Sequence, residues 1–111
     1  MEYFVIGERE IVLGFSLVGI KGRIAYSKAE VLESFLEITG QDKRISHIDE
    51  EERPDVLILT ESASSLIEEE IISWQMGGKY PLIVEVPGLN GHLKGKKSLT
   101  DAIREAEGIH V

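Results

Sequence analysis

The chain has no cysteine, which excludes disulfides and thiolate metal sites. It has no apolar stretch approaching the ~20 residues of a membrane-spanning helix. Basic charge is scarce: 12 Lys and Arg against 20 Asp and Glu leave a formal charge of −8 and a pI near 4.8. No basic stripe offsets the acid, which argues against a nucleic-acid partner. The same charge argues against a peripheral anchor on anionic lipid. The first residues lack a basic region followed by a long apolar stretch, so the expected compartment is the cytosol. There is no internal repeat and no low-complexity tract. What is present is ordinary for one domain: 111 residues, 42% of them hydrophobic, enough to bury a core unaided.

Three short, continuous apolar runs stand out: Tyr3–Ile6, Val56–Leu59 and Leu82–Val86. Runs of this kind suit parallel strands buried on both faces. The whole pattern reads β-α-β-α-β-α-β-α. The first strand covers Tyr3–Ile6, and a helix follows over Glu8–Val18, acidic in its first turn as the helix dipole favours. That helix carries Gly14 inside an apolar run, at a cost of about 1 kcal/mol in helix propensity. The expected reason is close seating of the helix on the sheet. A weak second strand is expected over Arg23–Tyr26. Ser27 with Glu30 three residues on forms a capping box, so a second helix starts at Ser27 and stops at Gly40. Gln41–Pro54 is polar and acidic, a loop with Ile45 and Ile48 as minor anchors. The third strand spans Asp55–Leu59. The third helix runs over Ser62–Met76, with Ala63, Leu66, Ile67, Ile71 and Trp74 on its core face. Ile72 and Met76 fall on its far side. The fourth strand is Tyr80–Val86.

Right-handed crossovers then give a small doubly wound α/β fold, a parallel four-stranded sheet of order 2-1-3-4 in the flavodoxin and receiver manner. Three segments are expected: the sheet domain 1–87, a flexible linker 88–97 and a C-terminal helix with its tail, 98–111. The last helix begins near Ser98 and shows Leu99, Ala102, Ile103 and Ala106 on one face. Ten residues are too few for a helix stable alone in water, so this helix is expected to be mobile in the isolated protein.

In such a sheet, ligands bind outside the carboxyl ends of the strands. Here those ends carry Gly7-Glu8-Arg9-Glu10, Thr60-Glu61-Ser62 and Pro87-Gly88. None offers a glycine cradle, a nucleophile with a base, or a strand-end lysine. A receiver needs a phosphate-accepting aspartate after the third strand, and Thr60-Glu61 stands there instead. Gly7-Glu8-Arg9 lacks the further glycines of a dinucleotide fingerprint. Gly95-Lys96-Lys97-Ser98 lacks the earlier glycine of a phosphate loop, where Asn90 stands, and has Lys97 in place of the magnesium-binding hydroxyl. His47, His92 and His110 hold no metal-ligand spacing. Glu8, Glu10, Glu61 and Glu85 gather at the carboxyl edge, either as helix caps or as oxygen ligands for a hard cation. Glu85, an acid inside an apolar strand, needs a partner when buried, and loop amides are the expected donors. No catalytic, cofactor or metal residue is assigned.

The chain resembles the F subunit of the rotary V-type and archaeal-type ATPases and ATP synthases, nearly end to end. The likeness rests on Val5-Ile6-Gly7 with Gly14-Phe15 and Leu17-Val18-Gly19-Ile20. It continues through Asp55–Glu61 and Pro81–Pro87, and closes on Ser98–Ile103 with Gly108-Ile109. The linker Gly88–Lys97 departs from the family's wording. The resemblance implies a non-catalytic rotor component of the central stalk, peripheral to the membrane on its cytoplasmic side. It implies binding to the D subunit, the coiled-coil shaft of that stalk, and coupling of rotation to ATP chemistry and ion transport. A mobile C-terminal helix would reach the catalytic A/B hexamer, and the subunit linking the stalk to the membrane ring is a further partner. Ile72, Met76, Leu99, Ile103 and Ala106 are the expected contact residues. Two other readings remain: a small ion- or ligand-binding regulatory domain using Glu8, Glu61 and Glu85, and a degenerate receiver-like adaptor.

Overall fold

The computed structural model describes residues 1–41 and 53–89, together with Ile103 and Ala106. The described elements run in the order β1 (Tyr3–Gly7), α1 (Arg9–Ser16), β2 (Lys21–Ile24), α2 (Lys28–Ile38), β3 (Val56–Thr60), α3 (Glu61–Leu66), α4 (Glu68–Met76) and β4 (Leu82–Val86). The strands form one sheet of order β2-β1-β3-β4, and every pairing is parallel. The expected fold class and strand order are those observed. The division into linker and terminal helix, and the mobility of that helix, fall largely on residues outside those described.

Register fixes which side chains share a face, because side chains alternate along a strand. Phe4, Leu57 and Ile83 lie in one row, as do Ile6, Leu59 and Glu85. The first face therefore carries Ile6, Leu57, Leu59 and Ile83. It packs against Val31, Phe35 and Ile38 of α2, Ala63 of α3, and Ile71 and Trp74 of α4. The second face carries Val5 and Ile58, and packs on Val12 of α1. The crossover through α1 runs from β1 toward β2, whereas those through α2 and through α3–α4 run the other way. Right-handed connections must then put α1 on the opposite face from the rest.

Four local differences from expectation have physical causes. The second strand lies two residues earlier than its pattern, over Lys21–Ile24. It is an edge strand with mostly exposed residues, so no apolar run marks it. Its place is set by pairing with β1, and by Gly22, where a Cβ would stand 2.5 Å from Val5 Cγ1 and 2.9 Å from Val12 Cγ1. The third helix is broken in two at Ile67, whose φ of −131° and ψ of 37° interrupt the helical path. The Ser65 hydroxyl donates to the carbonyl of Ser62, the back-bonding by which serine competes with helical geometry. The break leaves Ile67 wholly buried in the first core. Gly14 does not seat α1 on the sheet. It is exposed, and an added Cβ there would meet nothing within 4 Å among the described residues. The expected packing reason is thereby overturned. The first helix is also shorter than its apolar run, ending at Ser16, because its last residues turn back toward β2.

Elsewhere local signals carry through. Ser27 caps α2 with the full reciprocal box: Glu30 N donates to Ser27 Oγ at 3.1 Å and Ser27 N to Glu30 Oε1 at 3.1 Å. Gly40 follows the helix at a φ of +72°, a conformation that glycine adopts without strain. Trp74 is core, as its spacing indicates, and its Nε1 donates to Pro81 O at 2.9 Å.

Candidate functional site

The carboxyl edge of the sheet, where this topology keeps its chemistry, is built from β1, β3, β4 and the start of α3. Gly7 ends β1 directly beside Thr60; a Cβ at Gly7 would lie 2.4 Å from Thr60 Cγ2. This closeness lets the next side chain, Glu8, cross to β3. Thr60 Oγ1 donates to Glu8 Oε1 at 2.7 Å. The same hydroxyl accepts from Ala63 N at 3.3 Å and caps α3. Glu8 is the N-cap residue of α1 but makes no side-chain cap there. The Tyr26 hydroxyl takes that role by accepting from Arg9 N at 3.0 Å.

The other acids are occupied structurally too. Glu61 opens α3, where the positive end of the helix dipole favours a carboxylate, and is buried with an interaction of its own. Glu85 is half-buried and accepts from the Ser64 hydroxyl. That donor sits on α3, and Glu85 has a further interaction of its own. Glu10 is exposed. Glu8 Oε2 is buried without a hydrogen-bond partner, close to where Gly88 passes. Among the described residues no group of three acids or histidines stands in an arrangement that would hold a metal ion. A hollow of about 450 Å³ opens at the opposite, amino edge, bordered by Tyr3, Val18, Ile20 and Ile38.

Four of the five expected contact residues lie among the described residues. Ile72 is half-buried on α4 and Met76 is 53% exposed at its end. Ile103 is helical and packs, partly buried, on the first core. Ala106 is helical and exposed. Leu99 lies outside the described residues, as do Gly95–Ser98 and the three histidines. The residue missed by sequence reasoning is Thr60. Its signal was a hydroxyl three residues before Ala63 at a strand end, the spacing of an N-cap.

Fold and edge together define a small doubly wound parallel α/β domain with receiver-like topology and without the receiver's acceptor aspartate. A family model described as "ATP synthase (F/14-kDa) subunit" matches residues 4–103. The chain therefore belongs to this family of ATP synthase F subunits, which are accessory subunits and not the catalytic ones. It is 27% identical over 111 residues to the A-type ATP synthase F subunit of Thermococcus kodakarensis, covering all of this chain and 98% of that one. It is 26% identical over 113 residues to the same protein of Pyrococcus furiosus, with equal coverage. To that of Thermoplasma acidophilum it is 28% identical over 83 residues, 75% of this chain and 70% of the other. No described helix is long and apolar enough to cross a membrane.

Proposed function

We propose that this chain is a rotor component of the central stalk of an A-type ATP synthase or ATPase. It binds the coiled-coil D subunit of the shaft and helps couple rotation to ATP chemistry performed in the A/B hexamer. It lies on the cytoplasmic side, peripheral to the membrane, with a further contact to the subunit that joins the stalk to the membrane ring. The observation that carries this reading is the state of the carboxyl edge. Its acids are engaged in holding β1, β3, β4 and α3 together through Thr60 and Ser64, which leaves binding as the domain's work. Family membership supplies the complex.

The partner surface comprises Leu99, Ile103 and Ala106 of the terminal helix, which reaches toward the hexamer, and also Ile72 and Met76 of α4. Ile103 rests on the domain's own core, so engagement of the hexamer through this residue requires it to leave that seat. Co-expression with the shaft's D subunit, taken from the same source, followed by size exclusion with light scattering, tests the reading. A stable 1:1 complex is the expected result. A lone acidic monomer beside a soluble, folded shaft protein would defeat it.

A further inference from the structure

The second face of the sheet is only half covered. Among the described residues α1 alone packs there, over β2, β1 and the middle of β3: Val12 stands above Gly22 of β2 and clusters with Val5 of β1 and Ile58 of β3. On β3 this face is buried at Ile58 and Thr60, with Val56 partly buried against the same cluster; beyond it the face continues on β4 as Leu82, Val84 and Val86. Leu82 is 48% exposed and Val84 45%, although both belong to an apolar run of the kind that is normally buried on both faces. Ile103, of the terminal helix, packs on the first face, not here.

The flank of α1 that turns toward this open floor follows from helical geometry. Val12 points to β2, so at 100° per residue Ile11 and Gly14 lie on the side toward β3. Floor and wall together make an apolar trough with Gly14 at its rim. A glycine in mid-helix is unfavourable, and among the described residues Gly14 has no neighbour to explain it. A second helix laid in the trough would meet it. A missing Cβ there lets two helix backbones approach closely.

The trough is about 17 Å long, the length of a five-residue strand, which matches about three turns of helix. Acids stand at both ends. Glu2 and Asp55, joined by the bond from Glu2 N to Asp55 Oδ2 at 2.7 Å, lie at the amino edge. Glu10, exposed, lies at the other end, where α1 begins. Lys79, just before β4, is the opposing cation at the amino edge. The chain as a whole carries −8.

We infer that the trough between the Ile11–Gly14 flank of α1 and the exposed face of β4 is a docking groove for one helix of a partner protein, apolar over about three turns and flanked at both ends by Lys or Arg. This inference rests on the stalk reading, in which the partner helix belongs to the D subunit of the shaft. It places that contact on the face opposite α2, α3 and α4. Shape and apolar burial would hold the helix, and the terminal acids would set its register and speed its encounter.

The test measures affinity of the full-length chain for the D subunit by titration calorimetry, with wild type, Gly14→Leu, Val84→Lys and Ala29→Lys. Ala29 is exposed on α2, on the far face, and serves as the charge-matched control. Gly14→Leu fills open space, so the isolated variant should melt at or above the wild-type temperature while its Kd for the shaft rises at least tenfold. Val84→Lys should weaken binding to a similar degree, and Ala29→Lys should stay within twofold. Wild-type Kd should also rise with added salt. If wild type binds the shaft and both trough variants bind equally well, the groove is wrong and the stalk reading stands. If wild type does not bind the shaft, the stalk reading fails and the groove assignment with it. If wild type instead forms a dimer that both trough variants abolish, a second copy occupies the trough and the inference is overturned.

Discussion

The Thr60 hydroxyl donates to a carboxylate on one side and accepts a helix amide on the other, while itself wholly buried. Thr60→Val keeps the shape and removes both bonds. It leaves Glu8 Oε1 without its donor, so the expected loss is about 1–3 kcal/mol. Thr60→Ser should recover most of it, and thermal denaturation of the three proteins checks the order. The Arg23–Glu37 pair is a second residue-level feature. Arg23 Nη1 and Nη2 both donate to the Glu37 carboxylate, the second at 3.2 Å. The hydrogen bond from Arg23 is the main cause holding the Glu37 carboxyl below its usual range. A depressed folded pKa adds stability above the unfolded glutamate value, about 4.3. That stability is lost as the pH falls through the lower, folded value. The pair is partly exposed, so its worth is about 1 kcal/mol or less. Urea unfolding followed from pH 6 down to acid should show a shallower fall for Glu37→Gln than for wild type. Identical slopes would mean that the pair contributes nothing.

At the scale of elements, two glycines of similar sequence context have opposite roles. Gly22 is required, because a Cβ there would stand 2.8 Å from Val5 O and 2.9 Å from Val12 Cγ1. Gly22→Ala should push α1 off the edge strand and lower stability by about 1–3 kcal/mol. Gly14 is not required by its own domain. Gly14→Ala should raise the stability of the isolated chain by up to about 1 kcal/mol. Melting temperatures that moved in the same direction for both would refute this contrast. The sequence shows two glycines among apolar residues and cannot separate them. Only the distance between α1 and β2 does so. The same holds for the broken third helix. Its apolar spacing is continuous across Ile67, and the interruption depends on serine back-bonding and on how deep Ile67 must sit.

Across the whole molecule, the distribution of helices over the sheet matters more than any one contact. Three described helices cover one face, and one short helix covers part of the other. The terminal helix adds to the crowded side through Ile103. Ile103→Ala should therefore cost the isolated chain about 1–2 kcal/mol, less than the roughly 2–5 of a fully buried site. An unchanged denaturation midpoint would show that this contact carries no stability in the free protein. In the assembled motor the same substitution reports on coupling. A change in ATPase rate larger than the stability loss explains would tie Ile103 to the hexamer.

The sequence by itself determined the class of fold. Its three apolar runs suit parallel strands of an α/β sheet, and crossover handedness then gives order 2-1-3-4. It also determined the Ser27 box, the Gly40 stop and the burial of Trp74, because each depends on residues a few positions apart. The tertiary structure alone decided where β2 pairs, that Thr60 joins Glu8 across 52 residues, and that Glu85 finds a donor on α3. It alone left β4 half exposed on one face. These are matters of packing between segments distant in the chain, and periodicity carries no information about which neighbour, if any, arrives to cover a face.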